Sequence, residues 1–173
     1  MWCPARKKGF WGKQKLLLWQ WVWEDIMAIE KAKEQCMEYK ERALCFEDYC
    51  TLRESVGWLI PAKEQMHKAL KSSLYTIIAV DNGQAVGMGR LIGDGMYYLI
   101  VDVVVSPSYQ GKGIGTNIIN MLTGYVEKET PVGGRSSIQL IAEKGKEGFY
   151  EKMGFKLIPH DYCGSGMRRI IHK

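Results

Sequence analysis

The spacing of apolar residues changes period several times along this chain, and each change predicts an element. Leu44, Phe46, Cys50 and Leu52 follow a period of two, which predicts a first strand. Residues 53–61 hold Gly57 and Pro61 and read as a loop. Ala62, Met66, Ala69 and Leu70 share one helical face that ends near Ser72. Residues 74–80 are strand-like throughout, and Asp81-Asn82-Gly83 reads as a hairpin turn, because Asn-Gly tolerates positive φ. Residues 85–92 form the return strand. Gly93-Asp94-Gly95 turns the chain into a further strand over residues 96–105. Ile114, Ile118, Met121, Leu122 and Tyr125 then form the apolar stripe of a helix. A loop over residues 128–135, with Pro131, Gly133 and Gly134, leads to a buried-looking strand at 137–142. Two more strands are expected at 155–158 and 167–171. The order is one strand, helix, three-stranded run, helix, strand, helix, two strands. It predicts an α/β (α+β) domain with a mixed, mostly antiparallel sheet of six to seven strands and helices on both faces.

Composition narrows the class. With 173 residues, 46% of them apolar, a single domain with a real core is expected and disorder is excluded. A net charge of +5 with no basic stripe argues against nucleic acid and favours an anionic ligand. The five cysteines (Cys3, Cys36, Cys45, Cys50 and Cys163) are odd in number and form no C-x-x-C pair. Neither a disulfide framework nor a metal site is expected, and a reducing, cytoplasmic setting fits best. Cys45 and Cys50 read as small apolar filler on the first strand. His67, His160 and His172 are scattered and read as surface or helix residues.

The N-terminal end stands apart. Its first 23 residues hold five of the six tryptophans and five basic residues, with no acid. The apolar run 16–23 is too short to span a bilayer, and Glu24-Asp25 follow where a signal peptide would need small residues. Trp19, Trp23, Ile26 and Ile29 make a partial helical stripe that fades at Lys33. Residues 1–36 are therefore expected to be an extension outside the fold, with the domain over 37–173. The codons for Lys33-Glu34 could spell a purine-rich stretch ahead of Met37, so translation starting at Met37 is a further expectation.

The chemistry concentrates after residue 102. Val103, Val104 and Val105 end a strand. Ser106-Pro107-Ser108-Tyr109 follows, and Gln110-Gly111-Lys112-Gly113-Ile114-Gly115-Thr116 opens a helix. Glycines at alternate positions let several backbone N–H groups approach one anion, at the positive end of the helix. Lys112 lies between glycines with no Ser or Thr after it, which excludes a P-loop. The third position of G-x-G-x-x-G falls on Thr116, which excludes the dinucleotide fingerprint. The pattern that remains, Q/R-x-x-G-x-G/A on Gln110, Gly113 and Gly115, resembles the pyrophosphate signature of the GNAT superfamily of acyl-CoA N-acyltransferases. Gly148-Phe149-Tyr150-Glu151-Lys152-Met153-Gly154-Phe155 resembles the same family's short helix-to-strand element, and it follows the glycine loop by about 35 residues.

The resemblance covers the chain from about Tyr39 onward. It implies direct acetyl transfer from acetyl-CoA to a primary amine of a small molecule or peptide. Protein N-termini or lysines are the narrower alternative, and an acyl-CoA sensor without turnover is the non-catalytic one. It implies that the backbones of Gly111, Lys112, Gly113, Ile114, Gly115 and Thr116 hold the pyrophosphate. The pantetheine arm would lie along Val103, Val104 and Val105, and a strand N–H near Val104 would polarise the thioester carbonyl. Tyr150 matches the family's proton donor to the leaving sulfur.

An amine of pKa about 10.4 is almost wholly protonated at pH 7, so a base is needed. Asp102, a charge inside an apolar run, is the first candidate, as family members often carry an acid there. Glu54 and Glu143 are the others. Lys112, Lys144 and Lys146 are candidates for the 3′-phosphate. The acceptor would be shaped by residues 53–62 and 159–166, which contain Glu54, Trp58, His160, Asp161 and Tyr162. Many relatives are dimers, so a homodimer is also implied.

Overall fold

The computed structural model describes residues 37–170. The expectations for residues 1–36, including the tryptophan-rich stripe, lie outside the described residues. Five strands form one sheet in the order of the chain: β1 (Glu38–Glu41), β2 (Tyr75–Asp81), β3 (Gln84–Gly93), β4 (Tyr97–Val105) and β5 (Ser137–Leu140). The first four pair antiparallel, and β5 pairs parallel to β4. Four helices accompany them: α1 (Phe46–Ser55), α2 (Lys63–Lys71), α3 (Ile114–Glu129) and α4 (Glu147–Glu151). A 3₁₀ turn lies at Pro107–Tyr109. α3 covers one face of the sheet across β2, β3 and β4. α1 covers the other, against β3 and β4.

The central hairpins form as the pattern predicts. Asn82 and Gly83, both at positive φ, turn β2 into β3. The Asp94 carboxylate accepts from the backbone N–H groups of Met96 and Tyr97 at 2.9 and 2.8 Å, which closes the β3–β4 turn. Tyr75, Ile77 and Ala79 alternate inward from β2 and meet Ile118, Ile119, Leu122 and Val126 of α3 in the main core. A second cluster on the opposite face joins Tyr49, Leu52 and Met66 to Met88 and Val104.

α3 approaches the sheet closely because β3 offers glycine beneath it. A Cβ on Gly89 would lie 2.6 Å from Ile118 Cγ2 and 3.0 Å from Leu122 Cδ1. One on Gly87 would lie 3.1 Å from Ile114 Cγ2. The two missing side chains form the groove in which the helix rests.

Two expectations are corrected. Residues 44–52 do not form a strand. Cys45 caps α1, its Sγ accepting from Asp48 N–H at 3.4 Å, and Glu47 and Asp48 fill the first turn. The buried side chains are Tyr49 and Leu52, three apart, so the true period is helical and the apparent alternation is coincidental. Cys45 and Cys50 are accordingly helix-cap and helix residues.

The sheet also has five strands among the described residues rather than six to seven. Residues 155–158 and 167–170 make no ladder; the region holds one isolated bridge, His160 to Cys163. Phe155 packs on the main core, but Leu157 and Met167 are 56% and 97% exposed, so neither run has the alternating buried face of a core strand. β5 ends at Leu140, two residues earlier than expected, where its pairing with β4 ends.

Candidate functional site

β4 carries an irregularity that shapes the site. Arg90 pairs with Val101 and Met88 pairs with Val104, so β4 holds one residue more than β3 over this interval. Asp102 lies in the bulge with a φ of 52°, a left-handed conformation unusual for a non-glycine residue. The extra residue inverts the alternation. Tyr98 and Ile100 face the α3 side before it, and Val103 and Val105 face that side after it. β5 pairs with β4 only from Tyr97 to Ile100. Beyond Ile100 the two strands part, and the β5-facing edge of β4 has no strand partner among the described residues.

A cavity of about 450 Å³ opens at this divergence. Val103, Val104 and Val105 form one wall. Gln110, Gly111 and Gly113, with Ile114, Gly115 and Thr116, form the rim above it. Gly111 and Gly113 have φ of 77° and 79°, where a side chain would strain the backbone. The first α3 hydrogen bond runs from Asn117 N–H to Gly113 O at 3.0 Å. The N–H groups of Ile114, Gly115 and Thr116 therefore lack intrahelical partners. No side chain caps them, and no acid stands in the first turn. This is an anion cradle at the positive end of a 16-residue helix. Its rim is fixed from two sides. Gln110 Nε2 donates to Val105 O at 3.0 Å, and Tyr109 Oη donates to Asp81 Oδ2 at 2.8 Å.

Tyr150, on α4, lines the same cavity. Its ring packs edge-on against Phe149 and Phe155, with centroids 4.9 and 6.1 Å away. Burial, with the Glu143 carboxylate second, pushes its phenol above the ordinary tyrosine range. The group thus stays protonated at neutral pH. Glu143 and Lys146 also line the cavity, as do Val56 and Trp58 from the loop after α1.

Other expected residues lie elsewhere. Lys112 turns back over the Tyr109 ring, 4.5 Å from its centroid, outside the cavity lining. Lys144, Glu54, His160, Asp161 and Tyr162 do not line it either. Asp102 is also absent from the lining, and three donors converge on its carboxylate. Its Oδ1 accepts from Arg53 Nη1 at 2.8 Å. Its Oδ2 accepts from Arg90 Nε at 2.7 Å and from Tyr49 Oη at 2.8 Å. Tyr109 and Phe149 are cavity residues that the sequence reading did not single out for the site. For Tyr109 the available signal was its place beside the glycine loop; for Phe149, its place beside Tyr150.

Comparison with known proteins agrees with this geometry. The family model described as Acetyltransferase (GNAT) domain matches residues 52–170. Serotonin N-acetyltransferase 2, chloroplastic, from Oryza sativa subsp. japonica is 33% identical over 119 residues, covering 66% of this chain and 58% of the rice protein. The uncharacterized N-acetyltransferase ycf52 of Pyropia yezoensis is 34% identical over 109 residues, 60% of each protein. The chain thus spans about three-fifths of the length of these curated relatives.

Among solved structures, a probable acetyltransferase of unknown function from Staphylococcus aureus superposes with a TM-score of 0.68 at 30% identity. It covers 78% of this chain and all of that one. A GNAT family acetyltransferase from Streptococcus pneumoniae gives 0.66 at 31% identity, over 80% of this chain and all of that one. With the family model matching residues 52–170 and both solved structures superposing at 30% and 31% identity, the chain belongs to the GNAT acetyltransferase family.

Proposed function

We propose that this chain transfers the acetyl group of acetyl-CoA directly to a primary amine of a small molecule or peptide. The observation that carries the reading is one cavity holding both the unpartnered α3 amides and the protonated Tyr150 phenol. In this reading the amides at 111–116 hold the pyrophosphate. The open β4 edge at Val103, Val104 and Val105 receives the pantetheine arm through backbone hydrogen bonds. The neutral amine attacks the thioester carbonyl carbon, so a C–N bond forms as the C–S bond breaks. The Tyr150 phenol gives its proton to the departing thiolate. The amine loses its proton towards Glu143, the one carboxylate among the described residues that line the cavity, directly or through water. No metal enters this scheme.

The acceptor half of the cavity supports a monoamine with an apolar or aromatic body. Val56 and Trp58 offer apolar surface, and Glu143 offers a counter-charge for the ammonium group. The name of the rice relative, a serotonin N-acetyltransferase, points the same way. A cytoplasmic location is part of the reading, on the free thiols of Cys45, Cys50 and Cys163. The rice relative's name places that protein in the chloroplast.

The test is release of free coenzyme A thiol from acetyl-CoA against a panel of amines. The panel holds arylalkylamines, a polyamine, an amino sugar and a peptide N-terminus. The reading expects the highest kcat/KM with an arylalkylamine. Binding of acetyl-CoA without release for any amine would favour the sensor alternative. Absence of binding would overturn the site assignment.

A further inference from the structure

We propose that Asp102 is a positioning residue that holds the β4 bulge and the acceptor loop in place, and that it is not the base that receives the amine proton. The inference deepens the acetyl-transfer reading of the same site. It rests on what surrounds the carboxylate. Three donors from two other elements converge on it: Tyr49 and Arg53 from α1, and Arg90 from β3. The side chain of Arg90 is 8% exposed and that of Asp102 15%. A base must face the substrate. Here three donors hold the carboxylate through both oxygens, and the group lies outside the cavity lining.

The connections of the two arginines show what the carboxylate holds. Arg90 Nη1 donates to Ala69 O at 2.8 Å and to Ser73 Oγ at 2.6 Å, binding the end of α2 to β3. Arg53 donates through Nε and Nη2 to Leu59 O at 3.2 and 2.9 Å. Its guanidinium also stacks on the Trp58 ring, 5.2 Å from the centroid. Trp58 lines the cavity. One carboxylate therefore ties together the left-handed bulge, the loop that carries the acceptor wall and the helix beneath. Tyr49 keeps its donor role, because burial and the Asp102 charge push its phenol above the ordinary range. The bulge in turn sets where β4 parts from β5, and so where the Val103–Val105 edge becomes available. A backbone held at φ 52° needs surroundings that fix it, and this network supplies them.

The test uses Asp102→Asn and Arg53→Lys in the whole chain. Asparagine tolerates left-handed φ, so Asp102→Asn removes the charge without demanding a new backbone. Arg53→Lys keeps the Asp102 carboxylate and its Arg90 partner but loses the fork to Leu59. Calorimetry would measure two ligands, acetyl-CoA and adenosine 3′,5′-bisphosphate, which lacks the pantetheine arm. The expected result for Asp102→Asn is roughly tenfold weaker acetyl-CoA binding with nucleotide-fragment binding unchanged. In kinetics both variants should raise the acceptor KM, and the pH dependence of kcat/KM should keep its wild-type slope.

A kcat lower by about 10²–10⁴-fold in Asp102→Asn, with a flattened pH profile and intact acetyl-CoA affinity, would overturn the proposal and restore Asp102 as the base. So would equal affinities and rates in wild type and both variants, which would leave the network without a role in the site. Should Asp102→Asn fail to fold, the acceptor KM of Arg53→Lys decides, since a base role for Asp102 does not require Arg53's contact with Leu59. If the wild-type protein turns over no amine, the acetyl-transfer reading falls, while the split between the two ligands still decides the positioning role.

Discussion

Tyr150 and Gly113 should fail in different ways when altered, and the difference would separate chemistry from binding. Because burial and Glu143 raise its pKa, the Tyr150 phenol remains a donor through neutral and moderately alkaline pH. Tyr150→Phe should lower kcat by roughly 10²–10⁴-fold and leave acetyl-CoA affinity intact, as steady-state kinetics beside calorimetric titration would show. A loss of kcat on the alkaline side well below pH 10 in wild type would then belong to another group. At Gly113 the φ of 79° penalises any side chain, although the space around its Cβ position is open. Gly113→Ala should therefore weaken acetyl-CoA modestly, through backbone strain alone. Gly113→Glu should weaken it by a further tenfold or more, because it sets a negative charge against the pyrophosphate. Equal losses in the two variants, measured by calorimetry, would argue that no anion sits there. The glycine cradle was legible in the sequence because its parts lie within seven residues, 110–116. The engagement of Asp102 was not, because its partners stand 53, 49 and 12 residues away and only the fold assembles them.

Elements were legible where their period was long or their turn chemistry strong. α3 and the β2–β3–β4 run lie where apolar spacing and the Asn82-Gly83 turn place them. Four apolar positions at strand spacing disguise α1 in the sequence. Its acid-rich first turn and the burial of Tyr49 carry the helical signal. β1 escaped notice because its sequence, Glu-Tyr-Lys-Glu, is polar. It is an edge strand joined to β2 through the backbone, with Tyr39 Oη accepting from Asn117 Nδ2 at 3.0 Å. The seat of α3 gives an element-scale prediction. Gly89→Ala forces a methyl group to 2.6 Å from Ile118, so the helix must shift. The variant should lose about 1–3 kcal/mol of stability, the usual range for overpacking. Urea unfolding would measure it, and an unchanged midpoint would show that α3 moves freely on the sheet.

At the scale of the whole molecule, one side of the sheet is closed by a polar-aromatic clamp. Tyr75 stacks on Tyr125 at 4.3 Å, and the Arg42 guanidinium lies over both rings at 5.4 and 5.7 Å. Burial, with Glu41 second, pushes the Tyr75 phenol up to about 12. The folded state thus holds this proton more tightly than the unfolded chain, whose tyrosine titrates near pH 10. The associated stability is complete below about pH 10 and is lost as pH rises towards 12. Circular dichroism and tyrosinate absorbance across that window should change together. Ionisation of Tyr75 at pH 10 in a fully folded protein would contradict the assignment. The overall class, a mixed sheet with helices on both faces, could be read from the order of elements. The number of strands could not, because a strand needs a partner, and residues 155–158 and 167–170 find none among the described residues.

The glycine groove under α3 has a thermodynamic consequence. The same helix buries Ile118, Ile119 and Leu122 in the main core and points its free amides at the proposed ligand site. Anything that loosens its seat also misplaces the cradle, and anything that occupies the cradle holds the seat. Ligand occupancy and folding are therefore linked, and the linkage runs both ways. At a hundred times its dissociation constant, a ligand specific for the folded state adds about 2.7 kcal/mol. Acetyl-CoA should raise the melting temperature of the wild-type protein. It should also recover most of what Gly89→Ala loses, at the cost of a weaker apparent affinity in that variant. A melting curve in graded acetyl-CoA would thus report on a helix that neither activity nor denaturation alone can isolate.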